Sequence, residues 1–423
     1  MAVNRRRNRT VTVFSARHGR HGQSSLVRTL KGTHDLTFQT LFGNLQLKSP
    51  GWKHCGCNPH ETKSFSPLAE LLTEHVSPER LHLETKWGSL IAFEPAANLL
   101  RDTLPIAETV SANAVRNHLH RVAQRAEDEL GEERTSFIEG SPRDWAELPR
   151  PPAPITIGID GGYVRQWEDK KAHFEVIVGK SIPEEGVAQR FGYVQTYDEK
   201  PKRRVFELLK RQGMQSNQSV TFLSDGGEDV RDVQKYLSPE SEHYLDWFHI
   251  TMRITVMKQM AKGLPIDPSK ADGTTNKPKI EEELELLKWN VWHGNVTRAL
   301  ERIEELQLAL ETAGESDNRT KLQRVLREFG VYIERNRAFI PNFGERYRNQ
   351  ERISTAFVES TVNQVISKRM VKQQQMQWSQ KGAHLLVQMR ATVLNNELDD
   401  LFRRWYPNFR TTASGAAEQK AAA

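Results

Sequence analysis

The chain has 423 residues, of which 37% are hydrophobic, so it is long enough for two or three domains with ordinary buried cores and lacks the composition of a disordered protein. Only two cysteines, Cys55 and Cys57, are present, which excludes a disulfide-stapled scaffold and favours a reducing compartment. No apolar run is long enough to cross a bilayer, so we expect a cytoplasmic protein with no membrane partner, and the formal net charge of +6 is consistent with a polyanionic one.

Residues 1–34 are rich in Arg among Asn, Ser, Gly and His and show neither helical nor strand periodicity. This composition indicates a flexible basic arm. Such an arm is either merely solvated or follows the phosphates of DNA.

Residues 35–63 predict a small β module, because positions 38–47 alternate apolar and polar residues as a hairpin does. Cys55 and Cys57 follow this stretch with His residues on either side, and thiolates and imidazoles are the ligands that zinc prefers. One residue between the cysteines is a tight spacing, and the chain has no second Cys pair. Zinc is therefore the less favoured interpretation.

Residues 64–140 show helical patterning. Ser111 is a suitable N-cap for a helix that repeats apolar residues at Val115, Leu119 and Val122. Entered through a short turn from another amphipathic helix, it is typical of a helix-turn-helix, although any helical hairpin has the same pattern. The candidate DNA-binding residues on its polar faces are Arg116, Asn117, His120 and Arg121.

A Pro-rich linker is predicted over residues 141–154, and a strand follows that ends in Asp160 and two glycines (ITIGIDGGYV). The arrangement recurs where the apolar run SVTFLS ends in Asp225 and two more glycines. A single Asp of this kind is equally typical of a hairpin turn. Two of them on adjacent parallel strands would meet at one sheet edge and would require a cation such as Mg²⁺ or Mn²⁺ between them.

Residues 155–250 predict three strands, a helix, a strand, a helix and a final strand over 243–250, which is the order of a ribonuclease-H-like fold. Residues 251–350 read as an all-helical block whose apolar stripes serve packing or, less favourably, a coiled-coil contact. The predicted fold class is thus α+β/α/β: a ribonuclease-H-like core with an all-α insertion, preceded by a helical, helix-turn-helix-like region.

The core resumes over residues 351–396, where Glu359 shares a helical face with Asn363, Ile366 and Met370. Burying a lone carboxylate on such a face is costly, and a metal beside it would remove the cost. Residues 397–423 are predicted to form a C-terminal tail. Three cations on the Glu359 helix are candidate phosphate ligands: Lys368, Arg369 and Lys372.

The stretches GIDGGYV (158–164), LSDGGEDVR (223–231), DWFHITMR (246–253) and VESTVNQVISKRMVKQQQMQW (358–378) resemble bacterial insertion-sequence transposases of the ISKra type. The resemblance implies a DDE triad of Asp160, Asp225 and Glu359 that holds Mg²⁺ or Mn²⁺. It also likens DWFH to a [C/D]-x-x-H signature of transposases with helical insertions. His249 would then lie near the active site or the DNA path; alternatively, it is a buried His at a strand edge.

The expected activity is metal-dependent DNA cleavage and strand transfer at the ends of an insertion sequence, with no covalent protein nucleophile. The expected partners are the element ends and target DNA, bound by a dimer or larger assembly at the bacterial nucleoid. One alternative is a metal-dependent structure-specific nuclease with the same core. Another is a catalytically inactive DNA-binding regulator.

Overall fold

The computed structural model describes residues 29–53, 64–72, 74–106, 110–134, 137–138, 140–151, 153–169, 171–264, 277–311, 316–371 and 377–410. The chain divides into two compact units, one of Met1–Val122 with Asn396–Ala423 and one of Ala123–Asn395. The boundary lies inside one long helix rather than in the predicted Pro-rich linker. Among the described residues, no helix is both long and apolar enough to cross a membrane.

The first unit combines a three-stranded antiparallel sheet with helices. In chain order its elements are β1 Thr29–Thr40, β2 Gly43–Lys53, β3 Ser64–Phe65, α1 Pro67–Leu71, α2 Pro78–Leu90, α3 Phe93–Thr103 and the start of α4 Ala112–Glu129. The predicted hairpin is present, since β1 pairs with β2 up to Thr40 opposite Gly43. The predicted apolar stripe of α4 is buried at Val115, Leu119 and Val122.

The predicted C-terminal tail over 397–423 begins with a helix, since Leu398–Trp405 forms α15. Leu398, Leu401 and Phe402 repeat at helical spacing and are buried. The Phe402 ring packs edge-on against His82 of α2, with centroids 5.1 Å apart. Residues 411–423 lie outside the described part of the chain.

The second unit contains a five-stranded mixed sheet. Its strands are β4 Ile155–Arg165, β5 His173–Pro183, β6 Gln189–Val194, β7 Val220–Ser224 and β8 Glu242–Leu245. They lie in the order β6-β5-β4-β7-β8; the pairs involving β5 are antiparallel, and the β4–β7 and β7–β8 pairs are parallel. In the predicted linker, a short helix α5 covers Pro142–Ala146 because Ser141 and Asp144 form a capping box.

Helices cover both faces of this sheet. On one face, α6 Pro201–Arg211 and α7 Glu228–Leu237 share a core with the odd-numbered isoleucines of β4. On the other lie α13 Ala356–Val362, a π-helix over Asn363–Val371, and α14 Gln380–Leu394. Gly158, Gly162 and Gly192 allow this close approach, since added Cβ atoms would meet side chains of α13, the π-helix and α14.

The predicted all-helical block follows β8. It consists of α8 Trp247–Lys262, α9 Lys277–Trp292, α10 Val296–Glu311, α11 Asp317–Arg335 and α12 Phe343–Arg348. The predicted stripes of α10 and α11 lie in or against one shared core with α8 and α9. The last strand is shorter than predicted, because β8 ends at Leu245 and Asp246 caps α8. His249 therefore lies in the first turn of a helix.

Gly158→Ala should destabilise the second unit by about 1–3 kcal/mol. A Cβ at this position would lie 2.3 Å from Val358 Cγ2 and 2.7 Å from a ring atom of Phe357, so α13 would have to move away from β4. Urea unfolding followed by intrinsic fluorescence measures the effect. The control is Gly51→Ala, whose Cβ would have its nearest neighbour at 3.7 Å; equal losses in the two variants would contradict the packing argument.

Candidate active site

Three aspartates lie in a row where β7 and β8 end. Asp160 is inside β4, which continues beyond this row to Arg165 and is therefore longer than predicted. The parallel register of β4 and β7, continued two residues beyond Gly158, sets Asp160 opposite Asp225. Asp246 directly follows β8, and its N–H donates to the Ser224 carbonyl at 2.8 Å, so the ladder continues up to this row. Neighbouring carboxylates repel one another unless they are protonated or share a cation.

Asp160 is the member whose ionisation is most disfavoured. Burial raises the pKa of its carboxyl, and the negative charges of Asp225 and Asp246 raise it further. The Gly161 N–H, which donates to Asp160 Oδ1 at 2.8 Å, and the nearby His249 act in the opposite direction without overcoming burial. The site therefore favours either a proton or a cation at Asp160.

Asp246 fixes the position of the start of α8, the first helix of the insertion. Burial alone would raise its pKa, but contacts with His249, Thr355 and the Phe248 N–H outweigh burial and lower it. Thr355 donates to it through its backbone N–H at 2.9 Å and through its hydroxyl. Asp246 is thus an ionised N-cap that joins the start of α8 to the residue preceding α13.

His249 lies between two of the aspartates. Its Nδ1 is 2.8 Å from Asp246 Oδ2 and its Nε2 is 3.9 Å from Asp160 Oδ1. The Asp246 carboxylate raises the pKa of this imidazole above its usual value. With a side chain that is 31% exposed, His249 is not the buried strand-edge His of the alternative interpretation. When protonated, it places a positive charge beside Asp160.

The loop that carries Asp225 is held by the helical insertion. Asp225 itself is exposed, but its carbonyl accepts a hydrogen bond from the Tyr332 hydroxyl of α11 at 3.0 Å. Gly226 has a φ of +96°, and a Cβ there would lie 2.7 Å from Asn336 Oδ1, so only glycine fits this turn. Arg231 donates both to the Gly226 carbonyl, at 2.8 Å, and to Asn336.

Glu359 lies on α13, the helix that crosses β4 beside Asp160. The preceding residue, Val358, packs over Gly158, which fixes the position of the helix along the strand. The Glu359 side chain is exposed rather than turned toward an apolar face. Among the described residues, Asp160, Asp225 and Glu359 do not form a group whose ligand atoms all lie within 4.8 Å of one another.

The expected face of Glu359, Asn363, Ile366 and Met370 is therefore wrong, and the helix geometry explains why. From Asn363 the chain continues as a π-helix, so positions that the 3.6-residue repeat aligns with Glu359 fall elsewhere. Ile366 and Met370 are buried while Glu359 is not. Arg390 of α14 donates to the Gln364 and Val365 carbonyls at 3.0 Å, which supports the altered turn.

A second acidic cluster lies within the same unit at Glu127, Asp198 and His384, whose ligand atoms lie within 4.8 Å of one another. Arg204, which is 8% exposed, donates to both carboxylates at 2.8 Å. Burial would raise the pKa of Glu127, but the hydrogen bonds from His384 and Arg204 lower it to about 2. The guanidinium already supplies the positive charge here, so this cluster is a buried ion-pair network rather than a metal site.

Most, but not all, of the candidate DNA-binding residues of α4 are exposed. Arg116 and Asn117 are exposed and His120 is half-buried. Arg121 is exposed and donates to the Glu74 carbonyl at 3.1 Å, so part of its hydrogen-bonding capacity is used within the unit.

The candidate phosphate ligands on the Glu359 segment differ in position. Lys368 is exposed. Arg369 is only 1% exposed, its guanidinium lies 5.2 Å from the Trp378 ring centroid, and burial lowers its pKa to about 10. Arg369 is therefore a core residue, and its expected role as a surface phosphate ligand is wrong. Lys372 lies outside the described residues, as do Cys55 and Cys57 of the hypothetical zinc site.

Sequence reasoning missed the residues that position the site. Asp246 was part of the Asp-x-x-His pattern but was not among the candidates, although an Asp followed by a helix is a standard N-cap signal. Thr355 and Tyr332 gave no signal, because their contacts depend on how distant helices pack.

No protein-family model matches the chain, and no curated protein is similar enough to count as a match.

Asp160→Asn should raise the melting temperature at neutral pH in buffer free of divalent cations. The folded-state pKa of Asp160 is raised, so the wild-type protein is penalised wherever this carboxyl must be ionised, and the amide removes that penalty. Below about pH 4, where the carboxyl is protonated in both states, the difference should vanish. Calorimetry over this pH range checks the prediction.

The control for this titration is Asp232→Asn, on the exposed surface of α7, which should leave the melting temperature nearly unchanged at every pH. A loss of stability in Asp160→Asn at neutral pH would contradict the account.

Tyr332→Phe should increase amide hydrogen exchange in the Asp225–Gly227 loop, because the only group removed is the hydroxyl that donates to the Asp225 carbonyl. Mass spectrometry of the wild type and the variant measures the change. Tyr236→Phe is the matched control, since its hydroxyl donates to the Arg134 carbonyl at 3.1 Å away from the loop. Unchanged exchange in the loop of Tyr332→Phe would show that α11 does not hold it.

Proposed function

We propose that this protein is a DNA transposase that cleaves and joins DNA strands by metal-dependent phosphoryl transfer. The observation that carries the proposal is the parallel register of β4 and β7, which, continued by two residues, sets Asp160 opposite Asp225 just beyond the end of β7. The strand and helix order supports a ribonuclease-H-like core, with the all-helical block inserted between β8 and α13. The resemblance of the four quoted stretches to ISKra-type transposases supports the same class.

The donor set fits a divalent cation. Carboxylate oxygens are the ligands that Mg²⁺ and Mn²⁺ prefer, and burial together with like charge disfavours ionised Asp160 in the absence of a cation. Asp160 and Asp225 would hold the ion. Glu359 is the proposed third ligand, although the three carboxylates do not form a group with all ligand atoms within 4.8 Å of one another in this structure. A bound ion would polarise the phosphodiester and lower the pKa of an attacking water or 3′-hydroxyl.

The remaining residues fix the positions of the site elements and adjust the charge around Asp160. Asp246 and Thr355 tie the start of α8 to the start of α13, so the His249 side and the Glu359 side of the site are held together. His249, whose protonated form is favoured by its contact with Asp246, would then offset part of the negative charge around Asp160 and lie beside an incoming phosphate. Tyr332 and Asn336 fix the loop of Asp225.

The activity should be lost in Asp225→Asn and in Glu359→Gln while binding of the DNA ends remains largely intact. Both side chains are exposed, so the substitutions remove a carboxylate without opening a cavity. The measurement is nicking and joining of DNA that carries the gene's own flanking sequences, with Mg²⁺ or Mn²⁺. Asp232→Asn serves as the control and should retain both reactions.

Each alternative outcome points to a different function. Metal-dependent cleavage without joining would identify a nuclease, and specific end binding without cleavage under either metal would identify a regulator. Cleavage that survives in Glu359→Gln would remove that residue from the triad.

A further inference from the structure

Three basic side chains converge beside the candidate active site without a balancing acid. Lys180 of β5 lies directly opposite Arg190 of β6 and directly opposite Gly158 of β4. Residues opposite one another in neighbouring strands project to the same face of a sheet. Lys180 and Arg190 therefore point to the face that α13 covers.

The third cation comes from the segment before α13. The Arg352 guanidinium lies 5.7 Å from the centroid of the Phe357 ring, and Phe357 packs directly over Gly158. Arg352 thus approaches Lys180 from above the sheet. We call Lys180, Arg190 and Arg352 the basic cluster.

The basic cluster repels itself. Among the described residues, no carboxylate forms an ion pair with any of its three members. Burial lowers the pKa of Lys180, and the charges of Arg190 and Arg352 lower it further. Like charges directly opposite one another in a sheet are destabilising, so the cluster costs the fold stability unless an anion binds there.

Arg190 is anchored at the end of α14 and leaves one N–H without an acceptor among the described residues. Its Nη1 donates to the Leu394 carbonyl at the end of α14, at 3.1 Å. Its Nε is buried and has no hydrogen-bond partner among the described residues. A buried N–H without an acceptor is costly, and the planar fork of a guanidinium matches the oxygens of a phosphate.

We propose that the basic cluster binds one backbone phosphate of the DNA strand that enters the active site. This inference rests on the proposed function. Gly158 precedes Asp160 by two residues on β4, about 7 Å along an extended strand, so the cluster lies within a nucleotide or two of the aspartate row. A phosphate held there would set the register of the strand, so that a defined phosphodiester meets the carboxylates.

The test compares Lys180→Gln and Arg352→Gln with the wild type, using fluorescence anisotropy with a labelled duplex of the gene's flanking sequence at several salt concentrations. Each variant should bind about tenfold more weakly, with a salt slope smaller by about one. Lys210→Gln, which removes an exposed lysine of α6, is the matched control and should change neither.

The melting temperature without DNA distinguishes phosphate binding from a purely structural role. If these residues only stabilised the fold, removing one would lower the melting temperature. Removing one of three repelling charges should raise the melting temperature of Lys180→Gln and Arg352→Gln. A variant that is destabilised and binds DNA like Lys210→Gln would overturn the proposal. A second result would also overturn it: inorganic phosphate stabilises the wild type but not the variants, and the variants bind DNA as tightly as the wild type. The site would then hold free phosphate rather than a DNA phosphate.

These outcomes separate the inference from the proposed function. If the wild type cleaves and joins DNA but the variants bind DNA as tightly as the wild type, only the proposal for the basic cluster is contradicted. Wild-type protein that binds DNA through the cluster but never cleaves would contradict the transposase proposal alone.

Discussion

Electrostatic repulsion between Asp160 of β4 and the carboxylates that follow β7 and β8 is the constraint on which the second unit depends. The parallel register sets Asp160, Asp225 and Asp246 side by side, and each is in a different state. Asp246 is ionised and fully satisfied by Thr355, His249 and the start of α8. Asp225 faces solvent, and Asp160 is left with a raised pKa. The fold satisfies Asp246 within the protein, and we propose that the other two carboxylates share a cation.

The surrounding elements follow from that arrangement. The helical insertion is more than a spacer, because Tyr332 of α11 and Asn336, which follows α11, contact the Asp225–Gly226 turn. Glycines on β4 let α13 lie against the strand that carries Asp160. The same close packing brings Arg352 toward Lys180 and Arg190, so negative charge at one position along β4 is accompanied by positive charge nearby. A polyanion bound across both would be attracted by the basic cluster, and at the aspartates it would require a cation between the negative charges.

The sequence predicted the elements whose positions depend on local periodicity of apolar residues, or on an abrupt change in that periodicity. The end of β7 before Asp225 was readable because a β-branched run stops at Asp-Gly-Gly, and α7 and the hairpin were predicted as well. The same signal was wrong at Asp160, because β4 continues through Gly161 and Gly162 to Arg165. What failed depended on geometry that repeats do not encode. The π-helix after Val362 changed which residues share a face with Glu359, and Arg369 proved buried against Trp378. The contacts of Thr355 and Tyr332 join segments far apart in the chain, so no local pattern could reveal them.

The central claim is that the aspartate row, and not the Glu127–Asp198–His384 cluster, is where a divalent cation binds. Anomalous scattering from crystals grown with Mn²⁺ tests this directly. The account predicts an anomalous peak between the carboxylates of Asp160 and Asp225, and no peak at the cluster that Arg204 already neutralises. A peak at Glu127, Asp198 and His384, with none at the aspartate row, would contradict it.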